Sequence, residues 1–356
     1  MDITMHHEAG AAPAKREEAF HFTGSGSEYF RIWAVNSLLT MLTLGIYSAW
    51  AKVRRNRYFY GNTRVAGASF DYHGNPISIL KGRLIAATLL GSYHFTGQAY
   101  PLVAGVLFLL IAAAMPWLLW KSLQFRLYNS SYRGIRFGFR GSAGGAYVAY
   151  LLWPALAMMT AYLLAPLAHQ RIKRFQHSES RFGASQFSFN AGVGGFYRAY
   201  LVVGAMALVL FLGMGLLIAS FMASAIPHSN ASSANFLRYV FPMFLILYAC
   251  FVALAPVFTA MIENLVWNHT RLDAHRFVCR LAWTRMAWIG VTNLLGIIVT
   301  LGMFIPFAKV RMLKYRVESM ALLPDGDLDG FLADAQASAS ATGEGMADLL
   351  DFDLSL

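Results

Sequence analysis

An all-α polytopic membrane protein with internal repeats is the fold class this sequence predicts, on three observations. First, the 356-residue chain is 57% hydrophobic and only 13% charged, with a mean hydropathy of +0.47. Second, no Asp, Glu, Lys or Arg occurs between Arg83 and Lys121, Arg140 and Arg171, Arg198 and Arg238, or Arg238 and Glu263. Each run supplies the roughly 20 apolar residues that a helix needs to cross hydrocarbon. Third, one sequence unit recurs along the chain, and internal repetition outweighs any single motif as a guide to architecture.

The unit has three landmarks. Aromatic pairs followed by glycine occur as FHFTG at Phe20, FDYHG at Phe70, FGFRG at Phe137 and FSFNAG at Phe187, with a degraded FVC at Phe277. Ala49, Pro116, Pro166 and Pro256 stand 21 residues ahead of Phe70, Phe137, Phe187 and Phe277, and Thr63, Ser130, Ser180 and Thr270 share one hydroxyl position between them. At opposite ends of the chain, TLGIYSAWAKVR from Thr43 matches TLGMFIPFAKVR from Thr300. Each unit thus reads as an apolar helix, a basic aromatic stretch, and a short polar and aromatic segment whose glycines can turn the chain. The last segment is expected as an interfacial β-hairpin that pairs with its counterparts, since one hairpin is marginal in water; irregular loops are the alternative.

Six to eight membrane segments are expected, at about residues 31–50, 84–99, 102–120, 146–168, 199–222, 239–262 and 287–307. Basic clusters follow nearly all of them: Lys52, Arg54, Arg55 and Arg57; Arg126, Arg133 and Arg136; Arg171, Lys173 and Arg174; Arg271, Arg276 and Arg280; Lys309, Arg311, Lys314 and Arg316. If all face the cytoplasm, an even number of crossings separates each pair, yet 146–168 is long enough for one. Either some clusters lie outside, or the short units are broken or re-entrant helices, with breaks at Gly45, Pro154 and Pro306. Three regions result: a flexible N-terminus at 1–17, the repeated membrane domain at 18–323 and an acidic, mobile tail at 324–356. The tail holds eight acids and no base, whereas residues 29–323 hold 27 bases and five acids. The start of the chain lacks the apolar core of a removable signal.

The repeated TLG, the AKVR that follows it and the aromatic-glycine segments resemble the YjgN-like family of bacterial inner-membrane proteins, built around a domain of unknown function. The similarity covers about residues 18–323 and is most specific from Asn36 to Pro76. It implies a multi-pass protein of the Gram-negative inner membrane and supplies no active residue to carry over. Ala49 stands where the later units carry proline, so a proline kink is not expected in the first unit.

Catalytic chemistry is not expected. Cys250 and Cys279 fit no redox or metal spacing. His269, Asp273 and His275 offer ligand atoms in a basic loop without a metal-site pattern, and no phosphate loop, HExxH or carboxylate pair occurs. No metal or cofactor is therefore predicted. Asn36 and Asn293 both precede a TLG landmark by seven residues and so share a helix face, where they either join helices by hydrogen bonds or line a path. Glu263 ends an uncharged run and is either a coupling acid or the partner of a boundary base such as Arg271. Tyr58, Phe59, Tyr60, Phe125, Tyr128 and Phe175 lie beside basic helix ends, a pattern that suits a lipid interface better than nucleic acid. Lys52, Arg54, Arg55, Arg57, Arg171, Lys173, Arg174, Lys309 and Arg311 are the candidate headgroup contacts. The predicted partners are membrane phospholipids, with a membrane-protein partner or a second copy of the chain also possible. The functional expectation is a small-solute transporter or channel; the alternative is a membrane scaffold that binds anionic lipid or a protein.

Overall fold

The structure, a computed structural model, describes residues 17–225, 254–326 and 330–333. Its centre is a sheet of eleven short strands in the order β1-β11-β10-β9-β8-β7-β6-β5-β4-β3-β2. The two terminal strands, β1 (Glu18–Ala19) and β2 (His21–Phe22), are one continuous piece of chain separated only by Phe20. Phe20 itself donates its amide to the Met320 carbonyl at 3.0 Å. The sheet therefore closes on itself as a barrel, and closure removes the edges that an open sheet exposes.

The barrel has five units. Four are hairpins: β3 (Thr63–Val65) with β4 (Ala68–Tyr72), β5 (Ser130–Tyr132) with β6 (Ile135–Phe139), β7 (Ser180–Phe182) with β8 (Ser185–Phe189), and β9 (Thr270–Leu272) with β10 (His275–Cys279). The fifth is assembled from both ends of the described chain, β11 (Met320–Leu323) pairing with β1 through Glu18 opposite Leu322. The register is the same throughout: Phe70, Phe137, Phe187 and Phe277 face Tyr132, Phe182, Leu272 and Leu322 in the neighbouring unit. Within the β5–β6 hairpin Tyr132 faces Ile135, so the ladder advances two residues per unit.

This overturns the all-α expectation. The repeated aromatic segments form the central body, and only Pro101–Tyr128 and Val193–Ser220 among the described helices are long and apolar enough to cross a membrane. Three of the expected spans, 31–50, 146–168 and 287–307, are each two helices meeting in a turn. α1 (Gly26–Leu42) turns into α2 (Ser48–Gly61), α5 (Ala143–Met159) into α6 (Ala165–Ser178), and α9 (Trp283–Val299) into α10 (Ile305–Glu318). The reason is local. In the TLG turn Leu44 and Leu301 hold φ 49° and Gly45 and Gly302 φ 94°, a left-handed pair that reverses the chain. Thr43 and Thr300 fasten the turn, each hydroxyl donating to the preceding helix at 2.7 Å and accepting from the next at 2.9 Å. Apolar composition registered these segments, but composition carries no record of a φ reversal.

The remaining helices make two longer excursions. α3 (Pro76–Ala99) meets α4 (Pro101–Tyr128) at Tyr100, and α7 (Val193–Ala225) leaves the barrel towards α8, described over residues 254–268. Most of the 239–262 segment and Cys250 lie outside the described residues, as does most of the acidic tail. Pro166 and Pro306 sit in the first turn of their helices, where a missing amide costs nothing. Ala49 fills the same place in α2, fully buried.

Candidate functional site

The motif chemistry becomes clear at the junction between helix and barrel. Thr63, Ser130, Ser180 and Thr270 each donate a hydroxyl to a carbonyl in the last turn of the incoming helix, at 2.6 to 2.9 Å. They satisfy groups that a helix end otherwise leaves unpaired. The glycine of the aromatic motif has a steric reason. A Cβ at Gly24, Gly74 or Gly141 would approach the ring of Phe22, Tyr72 or Phe139 to 2.5 to 2.7 Å.

The first aromatic of each motif points into the barrel. Phe20, Phe70, Phe137, Phe187 and Phe277 form a succession with ring centroids 6.1 to 6.5 Å apart. Val65, Tyr132, Phe182, Leu272 and Leu322 pack with them, and Phe331 and Leu332 add to the same cluster. The lumen is thus filled by apolar side chains, as small barrels are. Its strands of two to five residues also fall short of the nine to eleven that a membrane-crossing strand requires.

On the opposite side the helices carry large exposed apolar side chains. Leu44 and Leu301, at the tips of two hairpins, are both 95% exposed, and Met41, Leu42, Met159, Leu163 and Val299 are also exposed. Exposed apolar side chains in this number mark a membrane or partner contact. Every unit leaves the barrel and returns to it, so the basic stretches of α2, α4, α6 and α10 lie between these tips and the strands.

This cationic collar contains all the predicted headgroup residues. Arg54, Arg57, Arg174, Lys309 and Arg311 are exposed, and Lys52, Arg55, Arg171 and Lys173 are half-buried. Several have structural partners as well: Arg57 donates Nε to the Tyr72 carbonyl at 3.3 Å, and Arg171 lies over the Trp153 ring at 5.4 Å. Arg311 donates Nη1 to Asn293 Oδ1 at 2.8 Å, while Asn293 Nδ2 donates to the Ala308 carbonyl at 3.1 Å. Asn293 therefore ties α9 to α10. Asn36 is equally buried, but its Oδ1 has no hydrogen-bond partner.

Glu263 pairs with Arg316, not Arg271. Arg316 Nε reaches Oε2 at 3.1 Å and Nη2 bonds Oε1. Lys173 feels Glu263, Arg126 and Arg316 electrostatically, and Lys52 feels Arg55, Arg83 and Arg126. Bases from four units and a single acid from the other thus converge below the barrel. Arg126 and Arg316 were absent from the predicted site, although both lie ten residues beyond the unit proline, Pro116 and Pro306. That shared offset was the available signal. Lys173 and Glu263 likewise share an offset of seven from Pro166 and Pro256.

The aromatic residues expected at the lipid interface pack on the barrel. Phe59 meets Phe22 and Tyr29, Tyr60 meets Tyr72, and Phe175 meets Phe139. His177 packs on Phe189 and Trp267, and burial, reinforced by Lys173 and Arg126, pushes it down to about 4. No group of three metal-ligating side chains occurs among the described residues.

The model of a family described as "Bacterial protein of unknown function (DUF898)" matches residues 17–349. An "Inner membrane protein YjgN" of Salmonella typhimurium is 35% identical over 147 residues, which is 40% of this chain and 36% of the relative. The protein of the same name in Escherichia coli K12 is 32% identical over 156 residues, 41% of this chain and 38% of the relative. The similarity thus spans under two-fifths of those relatives. No solved structure matches.

Proposed function

The chain belongs to the DUF898 family of bacterial proteins of unknown function, and from that premise we propose that it is an inner-membrane scaffold whose cationic collar holds anionic phospholipid headgroups, with the barrel on the cytoplasmic face. It is a protein of the bacterial inner membrane. The observation that carries the scaffold reading is the collar: four of the return helices carry their bases between exposed apolar tips and the barrel. Bases bordering membrane helices favour the cytoplasmic side, and each Lys or Arg near an anionic surface contributes about 1 kcal/mol. The apolar packing of the lumen supports a scaffold over a conduit along the barrel axis.

The test is lipid co-purification. Protein extracted in mild detergent at low salt is expected to carry anionic phospholipid enriched over the parent membrane, and Arg54→Gln with Lys309→Gln lowers that enrichment several-fold. Equal enrichment in the variant would sink the scaffold reading.

A second reading, a conduit for small anions, is favoured by the convergence of Arg126, Lys173 and Arg316 around Glu263. In that reading Asn36, Asn293 and Glu263 line the path. Sealed vesicles containing the protein would then show anion flux that changes in Glu263→Gln; flux no greater than in protein-free vesicles rejects it.

A further inference from the structure

Two clefts meet on the outer wall of the third unit. One, about 650 Å³, runs between α5 and α6 and is walled by Val148, Ala149, Trp153 and Phe175. The other, about 330 Å³, continues along β8 past Gln186, Ser188 and Asn190. Arg174 and Ser178 line both. The apolar cleft therefore opens between α5 and α6 and ends in a polar one beside the barrel. A π-helical turn at Val148–Leu152 forms its wall, a distortion found often at functional sites.

The charges at the junction are of both signs. Arg171 and Arg174 line the apolar cleft together with Glu179, and Asp273 lines the polar one. Arg171 Nε is buried and has no hydrogen-bond partner, a cost that an anionic oxygen would remove. We infer that this composite groove binds one phospholipid molecule whose headgroup carries both a phosphate and a primary amine. The acyl chain lies along Val148, Ala149, Trp153 and Phe175, the phosphate meets Arg171 and Arg174, and the amine meets Glu179 and Asp273. A purely anionic headgroup leaves those two carboxylates uncompensated, and a purely apolar ligand leaves the arginines so. The inference rests on the membrane placement of the hairpins; the groove shares Arg171 and Arg174 with the collar, and the collar variants below leave both in place.

Native mass spectrometry of the full chain in detergent tests it, with phosphatidylethanolamine and phosphatidylglycerol titrated in parallel. One phosphatidylethanolamine is expected to be retained per chain, at least tenfold more tightly than phosphatidylglycerol. Val148→Trp, which fills the groove from its exposed wall, and Arg174→Gln each weaken retention at least tenfold, whereas Arg64→Gln, at an exposed position of β3 outside both groove and collar, leaves it unchanged. Circular dichroism checks that the variants retain their helices. Unchanged retention in both groove variants, or phosphatidylglycerol held as tightly by the chain carrying Arg54→Gln and Lys309→Gln, overturns the assignment. A loss of bulk anionic lipid in Arg54→Gln with Lys309→Gln, without loss of the single lipid, separates this site from the collar.

Discussion

Gly302 and Gly82 are both glycines with room for a methyl group, yet opposite responses to alanine are expected. At Gly302 an added Cβ would meet only Ile305 Cδ1 at 3.7 Å, but the backbone sits at φ 94°. Holding alanine there costs about 1–3 kcal/mol. At Gly82, inside α3, nothing lies within 4 Å and φ is not positive, so alanine gains roughly 0.4–1 kcal/mol by restricting the unfolded chain. Thermal unfolding in detergent should order the variants Gly82→Ala, wild type, Gly302→Ala; the reverse order would remove the conformational account of the TLG turn. His275 supplies a pH dependence at the same scale. Its side chain is buried, accepts the Asp325 amide at Nδ1 (3.1 Å) and meets the Phe331 ring edge to face. Burial lowers its pKa, and Asp273 and Asp325 oppose the shift. A depressed folded-state value means that the stabilisation is complete above the unfolded value of about 6.5 and is lost as pH falls through the folded one. The melting temperature should therefore fall as the solution is acidified below about pH 6.5, and His275→Asn should flatten that slope. An unaltered slope in the variant would place the acid sensitivity elsewhere.

Helical hairpins that look alike in sequence are not fastened alike. Asn293 bonds both Ala308 and Arg311 across the α9–α10 turn, whereas Asn36, at the matching position of α1, has a buried Oδ1 without a partner. Removing Asn293 deletes its bonds to the Arg311 guanidinium and the Ala308 carbonyl, each worth about 0.5–1.5 kcal/mol. Removing Asn36 relieves an unsatisfied acceptor. Asn293→Leu is accordingly expected to lower the unfolding temperature by several degrees, and Asn36→Leu to leave it level or raise it. Equal losses in the two would show that the hairpins are fastened alike in solution.

For the molecule as a whole, the five-residue stretch from Glu18 to Phe22 is the closure of the barrel. It pairs with β11 on one side and β3 on the other, so the fifth unit exists only when both ends of the described chain meet. Deleting residues 17–23 would expose two strand edges and remove Phe20 from its stack on Phe70. Loss of the cooperative unfolding transition and aggregation on size exclusion are the expected outcomes; a monomer with unchanged unfolding would contradict closure as the organising contact. The same closed path explains why the basic clusters no longer conflict with the positive-inside rule, because each helical excursion starts and ends at the barrel.

The sequence by itself determined the repeat, its 21-residue landmark spacing, the apolar surfaces and the position of the cations, since each is a pattern of residue types along the chain. It also carried the cause of the barrel in plain view: the alternating Phe positions at 20, 70, 137, 187 and 277. What only the tertiary structure decided was that these five short segments share a register and close, and that Phe331 and Leu332 join their core. Pairing between strands separated by up to about three hundred residues is a long-range contact whose partner no local propensity specifies. The same holds for Glu263, whose nearest base in sequence is not the one it meets. Arg316, 53 residues away, reaches it because the fourth and fifth return helices lead into β9 and β11, the two strands that flank β10.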